Sequence, residues 1–143
     1  MSYSTAQMIL DRIPEKQLIQ ITDDKKLGVV DQAIVTASQA TAYGLVNGYC
    51  GVKYSVPFAT VPALIPELEA DIAAYLLYKR KVDVIPEAKQ KSYDDAIAFL
   101  KDVSRGTASL GIDPAPAAPT VGAPESNKTT NDRVFTRDKL NGF

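Results

Sequence analysis

Residues 30–54 read VDQAIVTASQATAYGLVNGYCGVKY, and the pattern of this stretch decides the fold class. Val30, Ala33, Ile34, Ala37, Thr41, Gly44, Leu45 and Gly48 recur every three or four residues, the period of one helix face. Asp31 stands where a carboxylate favours the positive end of a helix. Ala33, Ala37, Ala40, Gly44 and Gly48 carry almost no side chain, and an interior glycine costs roughly 1 kcal/mol relative to alanine. A close-packed neighbour is the expected compensation. The stretch is read as a central helix, packed on most sides, that frays at Gly48 or Gly51. It leads into residues 53–61, KYSVPFATV, a loop with a hydrophobic tip.

Helical signals continue on both sides. Ser4 or Thr5 is placed to cap a short helix over residues 6–13, which Pro14 ends, and EKQLIQI over 15–21 forms a second that buries Leu18 and Ile21. Aspartates 23, 24 and 31 surround Gly28 in a faint likeness of a calcium loop, but Lys25 and Lys26 fall where oxygen ligands belong, so a polar turn is expected. Beyond the loop, residues 63–80 form a helix with Leu64, Leu68, Ile72 and Leu76 on one face and Ile65, Glu69 and Ala73 on another. Its end, Lys79-Arg80-Lys81, complements the negative helix terminus; facing phosphate is the sharper alternative. A last helix over 86–105 carries Tyr93, Ala96, Ile97, Leu100 and Val103 on one side, with Gly106 as its C-terminal cap and 107–112 as a short extended segment able to pair as a strand. The expected fold class is mainly α, a small helical bundle with a long extended C-terminal arm.

Three units follow from composition: a helical domain over 1–112, a Pro/Ala-rich linker over 113–131, and a C-terminal segment over 132–143. The linker, DPAPAAPTVGAPESNKTTN, has too little bulk to fold alone and reaches on the order of 60 Å when extended. Apolar character then returns in DRVFTRDKLNGF, where Val134, Phe135, Leu140 and Phe143 alternate with Arg133, Arg137 and Lys139. Such a segment on such a tether docks on a partner surface or folds back on its own domain.

The remaining composition limits the chemistry. A chain of 143 residues makes one core, its net charge of −1 gives no footprint for strong nucleic-acid binding, and it holds no histidine and a single cysteine. The commonest general base and metal ligand is therefore missing, no disulfide forms within the chain, and Cys50 reads as a packed thiol. Scattered carboxylates (Glu67, Glu69, Asp71, Asp94, Asp95) select no acid–base pair. No cofactor, metal site or enzymatic activity is expected. MSYSTAQMILDRIPEK has no leader pattern, and no run approaches about 18 apolar residues, so synthesis in the cytoplasm and no membrane span are expected.

Taken together, several stretches resemble the small head–tail adaptor (connector) proteins of Mu-like tailed phages and prophages. They are Tyr3-Ser4-Thr5 with Ile9-Leu10-Asp11-Arg12; Leu18-Ile19-Gln20-Ile21-Thr22-Asp23; and Asp31 leading to Gly48-Tyr49 and Tyr54-Ser55-Val56-Pro57-Phe58. Val61-Pro62, Asp71-Ile72-Ala73-Ala74-Tyr75, Tyr93-Asp94-Asp95-Ala96 and the ending Arg133 to Phe143 complete the series. Lys53 stands where the family often has arginine, and the linker is longer than is usual.

The resemblance implies a structural virion protein of the neck that forms a ring of about twelve copies. It implies a ring that joins the portal protein to a stopper or tail-terminator protein and extends the channel through which DNA passes without specific binding. On that reading Tyr54, Val56, Pro57 and Phe58 face a neighbouring subunit or the tail, and Val134, Phe135, Arg137, Leu140 and Phe143 bind the portal or a neighbouring subunit. The alternative is a small soluble regulatory or adaptor protein that binds a cytoplasmic partner through its C-terminal segment.

Overall fold

The computed structural model describes residues 1–81 and 84–116. Five helices follow one another: α1 (Ala6–Arg12), α2 (Glu15–Thr22), α3 (Gln32–Cys50), α4 (Leu64–Lys81) and α5 (Glu87–Arg105). Each start has a local cause. Thr5 caps α1 by accepting the Met8 N–H, Asp31 caps α3 by accepting the Ala33 N–H, and prolines 14 and 86 precede α2 and α5 with the extended backbone that opens a helix. The α5 end is set by Gly106 at φ +82, where its N–H reaches back to the carbonyls of Asp102 and Val103.

The hub is α4 rather than α3. It packs against each of the other four helices, and Ile65, Leu68, Ala70, Ile72, Ala73, Ala74, Tyr75, Leu77 and Tyr78 are all buried. A helix apolar on nearly every side belongs in the middle of a bundle. On α3 the buried row is Val35, Gln39, Ala42, Val46 and Cys50. The small residues Ala33, Ala37, Ala40, Gly44 and Gly48 lie on the exposed side, and a side chain at Gly44 or Gly48 would meet nothing. The expected close packing within the protomer on that face is thus corrected: bulk, not smallness, marks the side of α3 that faces α4.

Around the hub, polar contacts fix the outer helices. The Arg12 guanidinium of α1 donates to Asp71 Oδ1 at 2.6 Å and to Glu67 Oε2 at 2.5 Å, both on α4. The Tyr78 hydroxyl donates to Gln17 Oε1 of α2 at 2.7 Å. Tyr75 and Tyr93 stack at 4.0 Å between α4 and α5. Arg80 donates to the Ile21 carbonyl at 2.9 Å and to Asp24, and Lys81 Nζ reaches Asp24 at 3.1 Å. Arg80 and Lys81, two of the three cations at the end of α4, therefore hold the end of α2.

Residues 107–112 form no strand; among the described residues there is none. Ala108, Leu110 and Ile112 instead lie against the core, and the Leu110 N–H donates to the Tyr54 hydroxyl at 3.2 Å. Of the proposed linker, residues 113–116 are described, and the Ala115 N–H donates to the Lys53 carbonyl at 2.8 Å. The rest of the linker and the segment 132–143 lie outside the described residues.

Candidate functional site

The loop after α3 begins with a tight reversal. Tyr54 N–H returns to the Cys50 carbonyl at 2.9 Å, and Gly51 sits so close to the helix that an added Cβ would stand 2.8 Å from the Asn47 carbonyl oxygen. Tyr54 and Phe58 then turn inward, 5% and 7% exposed, with ring centroids 6.4 Å apart. Tyr3 joins them: its ring lies 5.7 Å from Phe58 and 4.7 Å from Tyr43. Its hydroxyl donates to Asn47 Oδ1 at 2.7 Å and accepts the Phe58 N–H at 3.2 Å. Burial raises the Tyr3 pKa, which keeps the hydroxyl protonated as the donor this geometry needs.

This placement corrects part of the expected outward loop. The hydrophobic tip exists because two aromatic rings complete the protomer's own core. Val56 is half-buried against the core and Pro57 is exposed, so of the four loop residues Pro57 alone lies fully on the outside. The five C-terminal residues named above, Val134, Phe135, Arg137, Leu140 and Phe143, lie outside the described residues.

A second cluster ties down the N-terminus. Glu69 of α4 is fully buried. Its carboxylate accepts the Tyr3 N–H at 2.9 Å, the Ser4 N–H at 3.1 Å, the Ser4 hydroxyl at 2.7 Å and the Ser2 hydroxyl. Gln39 of α3 closes the cluster by donating to the Ser4 carbonyl at 3.2 Å. A buried carboxylate with this many donors is a structural clamp, since each donor stabilises the charge that burial opposes. Nothing in the pattern around Glu69 distinguishes it from the surface acids of α4, because its partners are more than sixty residues away.

The chemistry-bearing groups have structural employment. Cys50 is fully buried and its thiol is pushed up to about 11 by burial, far from an activated nucleophile. Glu67 and Asp71 hold Arg12, and Asp94 accepts from Gln90. Asp23 accepts the N–H groups of Leu27 and Gly28, which makes the polar turn. Among the described residues no three His, Cys, Asp or Glu side chains gather as metal ligands, and no helix is long and apolar enough to cross a membrane.

Residues 3–128 match the family model described as Bacteriophage Mu, Gp36. The chain belongs to this phage Mu Gp36 family. Among its relatives is the Mu-like prophage FluMu protein gp36 of Haemophilus influenzae, 30% identical over 110 residues that cover 77% of this chain and 76% of the relative. Another is gene product J of Escherichia phage Mu, 25% identical over 144 residues, covering 100% of this chain and 99% of that protein. Kinship with the Mu protein is thus end to end and includes the C-terminal segment. The chain is a Mu-like phage protein, and the Gp36 match runs over all five helices, the inward-turned loop and most of the proline-rich stretch.

Proposed function

We propose that this chain is a structural protein of the phage neck, a head–tail adaptor whose copies form a ring between the portal and a stopper or tail-terminator protein and extend the DNA channel. One observation carries the reading. Motifs that support the adaptor resemblance, far apart in sequence, are one another's contacts: Tyr3 bonds to Phe58, Arg12 to Asp71, and Tyr54 to the segment after Gly106. They form the frame of a single small bundle rather than a reactive centre. A net charge of −1 suits a wall past which DNA slides, because cations facing phosphate would retain it. The C-terminal residues Val134, Phe135, Arg137, Leu140 and Phe143 serve as a tethered docking peptide for the portal or for a neighbouring subunit.

Sedimentation of the purified chain with the portal protein of the same phage tests this directly. Comigration of the full chain, with weaker attachment of a chain lacking 117–143 that retains its helical circular dichroism, is the expected result. A full chain that stays free of portal at every ratio tried would remove the adaptor assignment.

A further inference from the structure

The corner where α1, α2 and the first turn of α3 meet is unusually apolar on its outside. Leu10, Leu27 and Val29 are 36%, 69% and 57% exposed there. Between them runs a groove of about 240 Å³ floored by Leu18, Ile19 and Val35, and Val29 and Val30 continue it onto a second shelf of about 350 Å³. Its rim is more acidic than basic: Glu15 borders the groove, and Asp23, Asp31 and Lys25 border the shelf.

The same chain carries a matching segment. In DRVFTRDKLNGF, Val134, Phe135 and Leu140 are apolar, and Arg133, Arg137 and Lys139 outnumber the two aspartates. The path to it starts at the far end of the molecule. Ala115 is bonded to Lys53, just past the C-terminus of α3, whereas the groove lies at the N-terminus of α3. Nineteen helical residues separate these ends by about 28 Å. The stretch from Pro116 to Val134 spans on the order of 50 Å when extended, enough to reach such a groove on this copy or on the next. A donor at one end of a protomer and an acceptor at the other make a head-to-tail contact, the kind that closes into rings.

We infer that the C-terminal segment of one copy docks in the α1–α2–α3 groove of the next copy. The docking rests on the ring reading above and names the partner of its C-terminal segment. Phe135 and Leu140 supply the apolar anchors, and the arginines meet the Glu15 and Asp31 rim.

Disulfide trapping tests it with the full chain, since Val29 is exposed and the native Cys50 is buried and inert. One preparation carries Val29→Cys and another Phe135→Cys; they are mixed at millimolar concentration and oxidised. A disulfide dimer between the two variants, reduced at least about tenfold when the first also carries Leu27→Glu, supports the docking. Variants of unchanged helical content that form no more dimer than a chain with Ala40→Cys in place of Val29→Cys overturn it. So does a double Val29→Cys/Phe135→Cys chain that closes only on itself, which would assign the groove to its own segment. Portal comigration with no such dimer sinks the docking alone; the dimer without portal comigration sinks the adaptor reading alone.

Discussion

Glu69 and Ser4 are bonded twice, through the Ser4 hydroxyl at 2.7 Å and its N–H at 3.1 Å, and this pair closes the N-terminus onto the hub helix. The clamp places Tyr3 over Phe58 and so fixes the loop after α3. Glu69→Ala leaves the buried Ser4 N–H and hydroxyl without this acceptor, each at a cost of about 1–3 kcal/mol. Thermal unfolding should move down by several degrees or more, with Glu69→Gln in between because one oxygen still accepts. A Glu69→Ala chain with unchanged melting would deny the clamp its role.

Tyr54 holds the segment after α5 to the body through its hydroxyl and the Leu110 N–H. Tyr54→Phe removes the hydroxyl, with its Leu110 bond and its Ser109 contact, and keeps the buried ring, so the fold should persist while the Leu110 amide exchanges faster. Hydrogen exchange measured residue by residue decides this. Equal protection at Leu110 in both chains would mean that apolar packing of Leu110 and Ile112 alone holds the segment.

The end of α2 should loosen in acid. Arg80 first, then Lys81, holds the Asp24 carboxyl below its ordinary value of 3.8. A carboxyl lowered in the folded state adds stability that is complete above the unfolded value and is lost as pH falls through the folded one. Melting temperature should therefore drop as pH falls below about 4, and Asp24→Asn should flatten part of that slope. An Asp24→Asn chain with the full acid dependence would transfer the effect to other carboxyls.

Cys50 should resist modification. Its thiol is raised to about 11 by burial, so a thiol reagent near pH 8 should label the native chain only as fast as it opens. Rapid labelling without denaturant would contradict its burial.

Much of the bundle is legible in the sequence because its signals are local. Thr5 and Asp31 sit at the helix starts they cap, Gly106 ends α5, and Ala96, Leu100 and Val103 are the buried row of that helix. The relative roles of α3 and α4 are not legible. Alanine and glycine fit a packed face and an exposed one equally well by periodicity, so the row of small residues on α3 was a poor guide to its buried side. On α4, Glu69 and Asp71 make a buried helix look like a surface one. Their partners, Ser4 and Arg12, lie about sixty residues away and leave no trace in the local pattern. The loop at Tyr54 looks like a contact surface for the same reason: its apolar tip is visible in sequence, but Tyr3, which covers it, is not.

The measurement that tests the central claim most directly is the copy number of this chain relative to portal protein in purified phage particles, by quantitative mass spectrometry. An adaptor ring matched to the portal predicts a ratio near one. Finished particles that contain portal but not this chain would contradict the adaptor account and favour a regulatory protein acting through its C-terminal segment.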